Sequence, residues 1–483
     1  MSFNSITYGF FLLFVFLLYW FVFNRNVNLR NAFVLIASYI FYGWWDWRFL
    51  ILIFISSITD YLVGRGMFQQ RSLMKRKLLL LTSLFVNLGI LGFFKYYNFF
   101  VQNFVDGFAS FGINLNVTTL QIVLPIGISF YTFQTLSYTI DVYRNKMQPT
   151  GDLVAFLAFV SFFPQLVAGP IERAHRLLPQ FCKLHQFNYE KAVDGLRQIL
   201  WGLFKKIVIA DNCSIIVDAI FNNYADVSGG YLILGAILFA FQVYCDFSGY
   251  SDIAIGSARL IGFDLMKNFN YPFFARNISE FWRRWHISLS SWFKDYVYVP
   301  LIQKKYTRTN RMLCILLVFS LVGLWHGASW NYVVWGIIQG VYFVPFILSK
   351  DWISLSKTSF YQNFVTRKIV ESFQILLTFL MFAFSFIVFR TQSLNSSLLY
   401  IKNLNFDFST YLNGMNLPDL GLTLGFIVLL LIIERISINR NHVLDFTDRK
   451  TPWILRWSVY FSLTAILLIF SGYEHQQFFY FQF

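Results

Sequence analysis

Two histidines carry the clearest indication of chemistry in this chain. His326 lies in the run Gly323-Leu-Trp-His-Gly-Ala-Ser-Trp330, inside an otherwise apolar stretch from Leu313 to Leu348. An ionisable side chain at membrane depth costs about 3 kcal/mol or more, so its presence there favours a functional role. His286 lies upstream in Arg283-Arg-Trp-His-Ile-Ser-Leu-Ser290. Because an imidazole gains and loses protons near neutral pH, this pair predicts general acid–base chemistry.

Structural roles for both histidines are also compatible with the sequence. His326 could be neutral and hydrogen-bonded to a neighbouring helix. No second histidine or carboxylate stands at ligand spacing on its helix, so we expect no metal site. His286 shares a helical face with Trp282 and Ser290. An interfacial histidine that only packs is as compatible with this pattern as a catalytic one.

The segment around His286 has helical periodicity. Apolar and aromatic residues recur at three- and four-residue steps from Phe281 to Tyr296, which predicts one helix with a single apolar stripe. Asn277 followed by Glu280 is a plausible capping pair at its start. The basic side chains that flank the stripe are typical of a helix at a membrane interface.

Carboxylates and hydroxyls cluster in the run Tyr244-Cys-Asp-Phe-Ser-Gly-Tyr-Ser-Asp252, directly after an apolar segment. Near membrane depth such groups should be paired or face water. Asp246 or Asp252 could orient a histidine, or bind Arg259 or Arg283. A structural polar network is favoured over direct catalysis.

The elements that must position these residues are membrane helices. The chain has 483 residues, of which 57% are hydrophobic, 21% aromatic and 13% charged. Soluble proteins carry roughly 25% charged residues, so the composition predicts an all-α polytopic membrane protein. The apolar runs predict roughly 11 to 13 membrane segments, several of them tilted or re-entrant. The net charge of +15 is typical of cytoplasmic loop bias, and we expect no nucleic-acid binding.

One membrane domain is predicted over residues 1–483. Its core, about 125–340, is dense in Gly, Pro, Trp and embedded polar residues, whereas the flanks, 1–124 and 341–483, look like plain apolar helices. A polar middle at membrane depth predicts an internal cavity or tunnel. The basic cluster from Arg65 to Lys77 should be cytoplasmic, which places the N-terminus outside. A second basic stretch, from Arg435 to Lys450, places the C-terminus outside too.

Small residues also predict one close helix contact. Gly323 and Gly327, and likewise Gly336 and Gly340, stand four residues apart. Such spacing lets two helices approach closely in lipid. Packing accounts for these glycines, but it does not account for His326 between Trp325 and Trp330.

Four strings resemble the membrane-bound O-acyltransferase family, in its bacterial alginate O-acetyltransferase-like branch: FFPQLVAGPIER, YCDFSGYSDIAIGSARLIGFDLMKNFNYPF, NISEFWRRWHISLSSWFKDYVYVPL and GLWHGASWNYVVWG. The resemblance implies a ring of tilted helices around a tunnel that joins the two membrane faces. It implies that His326 is catalytic and that His286 is the second family histidine. It also implies the bacterial cytoplasmic membrane as the location.

The function that the resemblance implies is O-acyl transfer. An acyl group, acetyl by preference, would pass from a cytoplasmic thioester (acetyl-CoA or an acyl carrier) to a hydroxyl of a cell-surface polysaccharide or peptidoglycan. Transfer would be direct or through a periplasmic partner protein, with no bound cofactor. We expect His326 to accept the hydroxyl proton. His286, with Asn331, Ser248 or backbone donors, would steady the oxyanion or orient the donor, and Trp325 would line the tunnel.

Two alternatives stay open at this point. Asp246, Asp252, His286 and His326 could form the proton relay of a transporter or channel, although no inverted repeat supports this reading. The chain could also be a D-alanyl transferase, or a lipid or protein acyltransferase, of the same family.

Overall fold

The computed structural model describes residues 1–167, 169–303, 307–348, 363–409, 419–446, 451–470 and 478. Within these ranges the chain forms helices and no β-strand. It folds as two compact units: unit 1 is Met1–Ile199 with Ile253–Met266, and unit 2 is Leu200–Asp252 with Lys267–Phe483. Arg449 and Lys450, which belong to the basic stretch used to orient the C-terminus, lie outside the described residues. The predicted single domain with a core at 125–340 stays a prediction.

Unit 1 begins with the N-terminal helices, several of which start at a side chain that accepts a backbone N–H. Ser5, Asn26 and Asp152 are such N-caps. The helices are α1 (Ile6–Leu18, continued by a π-helix at Tyr19–Phe23), α2 (Val27–Asp46), α3 (Leu50–Gln69), α4 (Leu73–Leu91), α5 (Tyr97–Ala109), α6 (Ile128–Tyr143), α7 (Leu153–Val160), α8 (Phe163–Leu166), α9 (Ala174–Phe181) and α10 (Tyr189–Leu203), whose C-terminal end belongs to unit 2.

Unit 2 contains the histidine-bearing segments. Its helices are α11 (Asp211–Asn222), α12 (Gly229–Leu260, whose C-terminal end belongs to unit 1), α13 (Ile278–Arg284), α14 (Ile287–Phe293), α15 (Val299–Ile302), α16 (Arg308–His326), α17 (Trp330–Val341), α18 (Val344–Leu348), α19 (Phe364–Arg390), α20 (Leu394–Lys402), α21 (Leu420–Ile436) and α22 (Trp453–Phe470).

The all-α membrane class predicted from composition is confirmed. Among the described residues, eight helical stretches are long and apolar enough to cross a membrane, and Leu153–Leu166 is a shorter apolar one. The eight stretches are Ile6–Phe23, Val27–Gln69, Leu73–Ala109, Gly229–Leu260, Arg308–His326, Trp330–Leu348, Phe364–Arg390 and Trp453–Phe470. The predicted 11 to 13 segments include shorter runs, and that count stays a prediction.

Unit 1 holds a buried polar cluster where the sequence predicts plain apolar helices. The Asp60 carboxylate on α3 accepts hydrogen bonds from Ser83 Oγ at 2.5 Å and from Asn87 Nδ2 at 2.9 Å, both on α4. Ser83 Oγ also lies 3.1 Å from Thr139 Oγ1 on α6. All four side chains are buried. The expectation of plain N-terminal helices is therefore wrong here, because polar side chains join α3, α4 and α6.

The close helix contact predicted from glycine spacing is confirmed between α16 and α17. A Cβ atom on Gly323 would overlap the carbonyl oxygen of Tyr332, and one on Gly336 would overlap that of Phe319. A Cβ on Gly340 would lie 3.2 Å from the Cα of Leu316. The two helices therefore form a hairpin held by backbone-to-backbone packing, with His326 at the C-terminal end of α16.

The single helix predicted from the Asn277 cap to Tyr296 is not formed. Asn277 caps α13 as predicted, because its side chain accepts the Glu280 N–H. The helix then ends at Arg284, Trp285 is extended, and His286 has a φ of 42° before α14 begins at Ile287. Apolar periodicity continues across this break, which is why the sequence pattern predicts one helix.

The hairpin contact predicts a difference between two glycine-to-alanine changes in unit 2. Gly336→Ala should lower the free energy of unfolding by about 1–3 kcal/mol, since a methyl group must displace the α16 backbone. The matched change Gly425→Ala on α21, where a Cβ meets nothing within 4 Å, should not destabilise the protein. Melting temperatures of the full-length protein in detergent micelles measure both. Equal melting temperatures for the two variants would contradict the close contact.

Candidate functional site

His286 lies at a break in the backbone. Its φ of 42° and ψ of 54° are left-handed values, which residues other than glycine adopt only when the surroundings impose them. Two backbone hydrogen bonds of 2.8 Å fix the break, from Asn270 N to Arg284 O and from Ile287 N to Asn268 O. The imidazole therefore leaves the helical face that it would share with Trp282 and Ser290 in one continuous helix.

Asn268 fixes the orientation and the tautomer of this imidazole. The backbone N–H of Ser288 donates to Asn268 Oδ1 at 3.3 Å, so the oxygen of the carboxamide must face this side. His286 Nδ1 lies 3.1 Å from the same oxygen and must therefore carry the proton and donate it. In the neutral ring, Nε2 then carries the lone pair. That buried nitrogen has no hydrogen-bond partner among the described residues.

The surroundings of His286 favour its neutral form. Its side chain is fully buried, and the ring of Phe247 meets it edge-on with centroids 4.6 Å apart. Burial lowers the pKa of His286 to about 3. The ring therefore presents a lone pair, not an N–H, to any group that approaches Nε2 at physiological pH.

His326 lies in the same aromatic cluster as His286. The Trp325 ring contacts both, with its centroid 5.8 Å from that of His286 and 4.9 Å from that of His326. Trp335 and Phe389 each lie 5.3 Å from the His326 ring. Two histidines that are forty residues apart in the sequence thus contact the same tryptophan.

The other predicted residues on α13, α14 and α17 have structural contacts. Trp282 packs edge-on against Phe319, with ring centroids 4.9 Å apart. Ser290 Oγ donates to the Trp285 carbonyl oxygen at 3.3 Å. Asn331 Nδ2 donates to the carbonyl oxygens of Val388 at 3.1 Å and Thr391 at 2.8 Å, which ties α17 to the end of α19. Both N–H groups of Asn331 are engaged, so this amide is not the free oxyanion donor that the sequence suggested.

The acidic residues of the Tyr244–Asp252 run form buried ion pairs with two adjacent lysines. Lys206 Nζ lies 2.7 Å from both Asp246 and Asp211, and Lys205 Nζ lies 2.6 Å from Asp252. Lys205 also donates to Ser248 Oγ at 2.8 Å. The run thus forms a polar network with the two lysines, and the preference for a structural over a catalytic role stays a prediction.

The partners of these carboxylates differ from the arginines suggested by the sequence. Among the described residues, Arg259 forms an ion pair with Asp194 in unit 1, whereas Asp246 and Asp252 each form an ion pair with a lysine. Lys205 and Lys206 lie in a π-helical segment, Phe204–Ala210, that continues α10. Two adjacent ammonium groups in an apolar run are the signal that could have revealed them.

The same run also supports His286 through Asn268, which the sequence did not single out. Asn268 Nδ2 donates to Ser251 Oγ at 3.2 Å, while Asn268 Oδ1 accepts from Ser288 Oγ at 2.9 Å and from His286. A chain of hydrogen bonds therefore leads from α12 to the imidazole. Nothing in the amino-acid sequence distinguishes Asn268 from any other loop asparagine, because its role depends on the backbone break at His286.

Comparison with known proteins agrees with these motifs. The sequence model of the membrane-bound O-acyltransferase family matches residues 149–390. The chain is 36% identical to a probable alginate O-acetylase of Pseudomonas aeruginosa over 84% of its length and 75% of the relative's. It is 31% identical to a peptidoglycan O-acetyltransferase of Helicobacter pylori over 95% and 92% of the two chains. A teichoic acid D-alanyltransferase of Bacillus subtilis is 30% identical over 47% of this chain and 60% of its own.

The buried ion pairs predict unequal effects of removing two lysines. Lys206→Met leaves Asp211 and Asp246 buried without their shared ammonium group, which should cost about 3–5 kcal/mol of stability. The control Lys191→Met removes an exposed pair with Asp264 in unit 1, for which about 0–1 kcal/mol is expected. Melting temperatures in detergent measure both. A Lys206→Met protein as stable as the control would contradict the assigned pairs.

Proposed function

Because this chain belongs to the membrane-bound O-acyltransferase family, we propose that it moves an acetyl group from a cytoplasmic thioester to a hydroxyl of a cell-surface polysaccharide or peptidoglycan. The chain is a multi-pass membrane O-acyltransferase. The names of the relatives support acetyl as the acyl group and a surface glycan as the acceptor. The D-alanyltransferase relative aligns with only about half of this chain and supports acyl transfer in general.

The observation that carries the proposal is the meeting of two buried imidazoles around Trp325. A packing role alone would account for the burial of either histidine. It does not account for a backbone break and a carboxamide that together hold His286 in one tautomer with an unpartnered nitrogen. A site that must place a lone pair beside a reacting group needs this kind of fixed orientation.

In the proposed reaction His326 is the base. It accepts the proton of the acceptor hydroxyl as that oxygen bonds to the thioester carbonyl carbon. The tetrahedral oxyanion then collapses, the carbon–sulfur bond breaks, and the leaving thiolate takes the proton from His326. The histidine returns to its starting state and no acyl-enzyme is formed.

His286 orients a substrate in this scheme. Its Nδ1–H is used by Asn268, so neutral His286 can only accept a hydrogen bond at Nε2. Of the two roles considered from sequence, this geometry supports orientation of the donor, through one of its N–H or O–H groups, over stabilisation of the oxyanion. Asn268 is then a positioning residue.

In this proposal the two substrates reach the site from opposite sides of the membrane. The thioester would be acetyl-CoA or an acyl carrier that reaches His326 through a tunnel from the cytoplasm. The acceptor, or a periplasmic partner protein that receives the acetyl group, would approach from the opposite side. The chain would lie in the bacterial cytoplasmic membrane with both termini outside.

The central role of His326 can be tested with alanine. His326→Ala should lower acetyl transfer by about 10²–10⁴-fold, the usual contribution of a general base, while binding of acetyl-CoA and the melting temperature stay unchanged. O-acetyl groups on cell-surface glycans, measured by mass spectrometry, report transfer. The control is His175→Ala in unit 1, where the side chain is 57% exposed. A His326→Ala protein that transfers acetyl at the unsubstituted rate would contradict the assignment.

The tautomer of His286 predicts a pH effect. Asn268→Asp keeps an acceptor for Nδ1–H but adds a negative charge, which favours the imidazolium and raises the pKa of His286 from its depressed value. Neutral His286 is then lost as pH falls through the raised pKa. Because that pKa starts at about 3, a rise of about 2–3 units, the upper part of the range for an adjacent opposite charge, brings the acid limb near pH 5.5 and lowers transfer there relative to pH 8.

The comparison variant is Asn268→Leu, which removes the acceptor. It should lower transfer at every pH, because Nδ1–H loses its partner and the ring is no longer fixed. Initial rates of acetyl transfer from pH 5 to pH 9 distinguish the variants. If the Asn268→Asp and unsubstituted profiles coincide, Asn268 does not act through His286.

A further inference from the structure

Unit 1 contains an open pocket that acyl transfer does not explain. Its volume is about 470 Å³, and it lies where the π-helical end of α1, the loop after α9 and the end of α12 meet. Its lining includes Trp20, Lys183, Phe187, Lys191, Arg259 and Asp264. The described part of unit 1 thus has a polar cavity at the end of its first membrane helix.

The wall that carries Lys183 is held by buried side chains. Arg30 on α2 is fully buried, and its guanidinium donates to the carbonyl oxygens of Phe181, at 2.7 Å, and of Lys183. His185 contacts the Tyr19 hydroxyl at 2.9 Å through Nδ1 and the Gln180 carbonyl oxygen at 3.0 Å through Nε2. Both ring nitrogens are engaged, so His185 shapes the wall and the loop has a fixed path.

Positive charge predominates among the groups that line the pocket. Lys183, Lys191 and Arg259 contribute cations, and Asp264 is the one carboxylate in the lining. Arg259 is paired with Asp194, and Lys191 lies 3.3 Å from Asp264 in a pair whose members are both more than half exposed. Exposed pairs are weak and open readily. Lys191 can therefore leave Asp264 for an anion, and Lys183, which is exposed, can turn towards the same anion.

An apolar wall joins the pocket to the lipid-facing side of α1. Trp20 packs edge-on against Phe187, with ring centroids 5.3 Å apart. Along α1 and its π-helical end, Phe10, Phe14 and Phe21 are exposed by 61–70%. A ligand in the pocket could thus place an anionic group among the cations while its apolar part follows α1 into the bilayer.

In the proposed topology the pocket lies at the membrane face that attracts anionic lipids. The basic cluster Arg65–Lys77 predicts a cytoplasmic location for that stretch and an outer location for the N-terminus by the positive-inside rule. The C-terminal end of α1, the first candidate span, is then cytoplasmic. Basic pockets at this depth suit phosphate headgroups.

We propose that this pocket binds the phosphate headgroup of an anionic phospholipid, with the acyl chains lying along α1. The chemistry is recognition of a phosphate by ammonium and guanidinium groups. The phosphates of a nucleotide-bearing thioester share this chemistry. The lipid is favoured because the apolar wall of the pocket continues into the exposed face of α1.

Native mass spectrometry of the full-length protein in detergent tests this proposal. The probes are dioctanoyl phosphatidylglycerol and its zwitterionic counterpart dioctanoyl phosphatidylcholine. The unsubstituted protein should bind the anionic lipid at least about tenfold more tightly. The double variant Lys183→Glu with Lys191→Glu should abolish that preference, and the milder Lys183→Gln with Lys191→Gln serves if the first does not fold.

The matched control carries the same charge change at the same face. Lys75 and Lys77 are exposed residues on α4 that do not line the pocket, so Lys75→Glu with Lys77→Glu should keep the lipid preference. Loss of the preference in this control, or its survival in both pocket variants, would overturn the proposal. Adenosine 3′,5′-bisphosphate is the competitor: if it binds through Lys183 and Lys191 and phosphatidylglycerol does not, the lipid assignment is wrong.

Discussion

The hydrogen bond from His286 Nδ1 to Asn268 Oδ1 is the contact on which the candidate site depends. It determines which imidazole nitrogen carries a proton and therefore what the other can do. The backbone around it is arranged to make this contact, since a left-handed histidine, two short backbone hydrogen bonds and the Ser288 N–H all converge on Asn268. A strained residue that persists because its surroundings impose it is a common feature of functional sites.

The buried ion pairs of unit 2 support the same hydrogen bond through α12. Ser251 on α12 supports Asn268, and one turn of helix around it carries Ser248 and Asp252, which Lys205 binds. Lys206 with Asp246 and Asp211 fixes the adjoining turn. Burying charges is costly unless each finds a partner, so removing one member of such a pair is far more damaging than its net contribution suggests. Here the ion pairs fix the position of α12, and α12 supports the His286 imidazole through Ser251 and Asn268.

The sequence was sufficient to predict features that depend on local chemistry. These include the Asn277 cap, the glycine contact between α16 and α17 and the membrane class. It failed where the outcome depends on contacts distant in the chain. The apolar periodicity continues across His286, so the sequence pattern does not reveal the backbone break at this one left-handed residue. The roles of Lys205 and Asp60 were overlooked because each depends on a partner on another helix, which the local sequence does not identify.

The central claim is that His286 and His326 act as one unit in acyl transfer. A double-mutant cycle tests it most directly, with acetyl transfer rates measured for His286→Ala, His326→Ala and the protein carrying both changes. Residues that work on the same reacting group give strongly non-additive losses. The account predicts that the double variant is about as slow as the slower single variant. Losses that multiply, as for two independent sites, would contradict it.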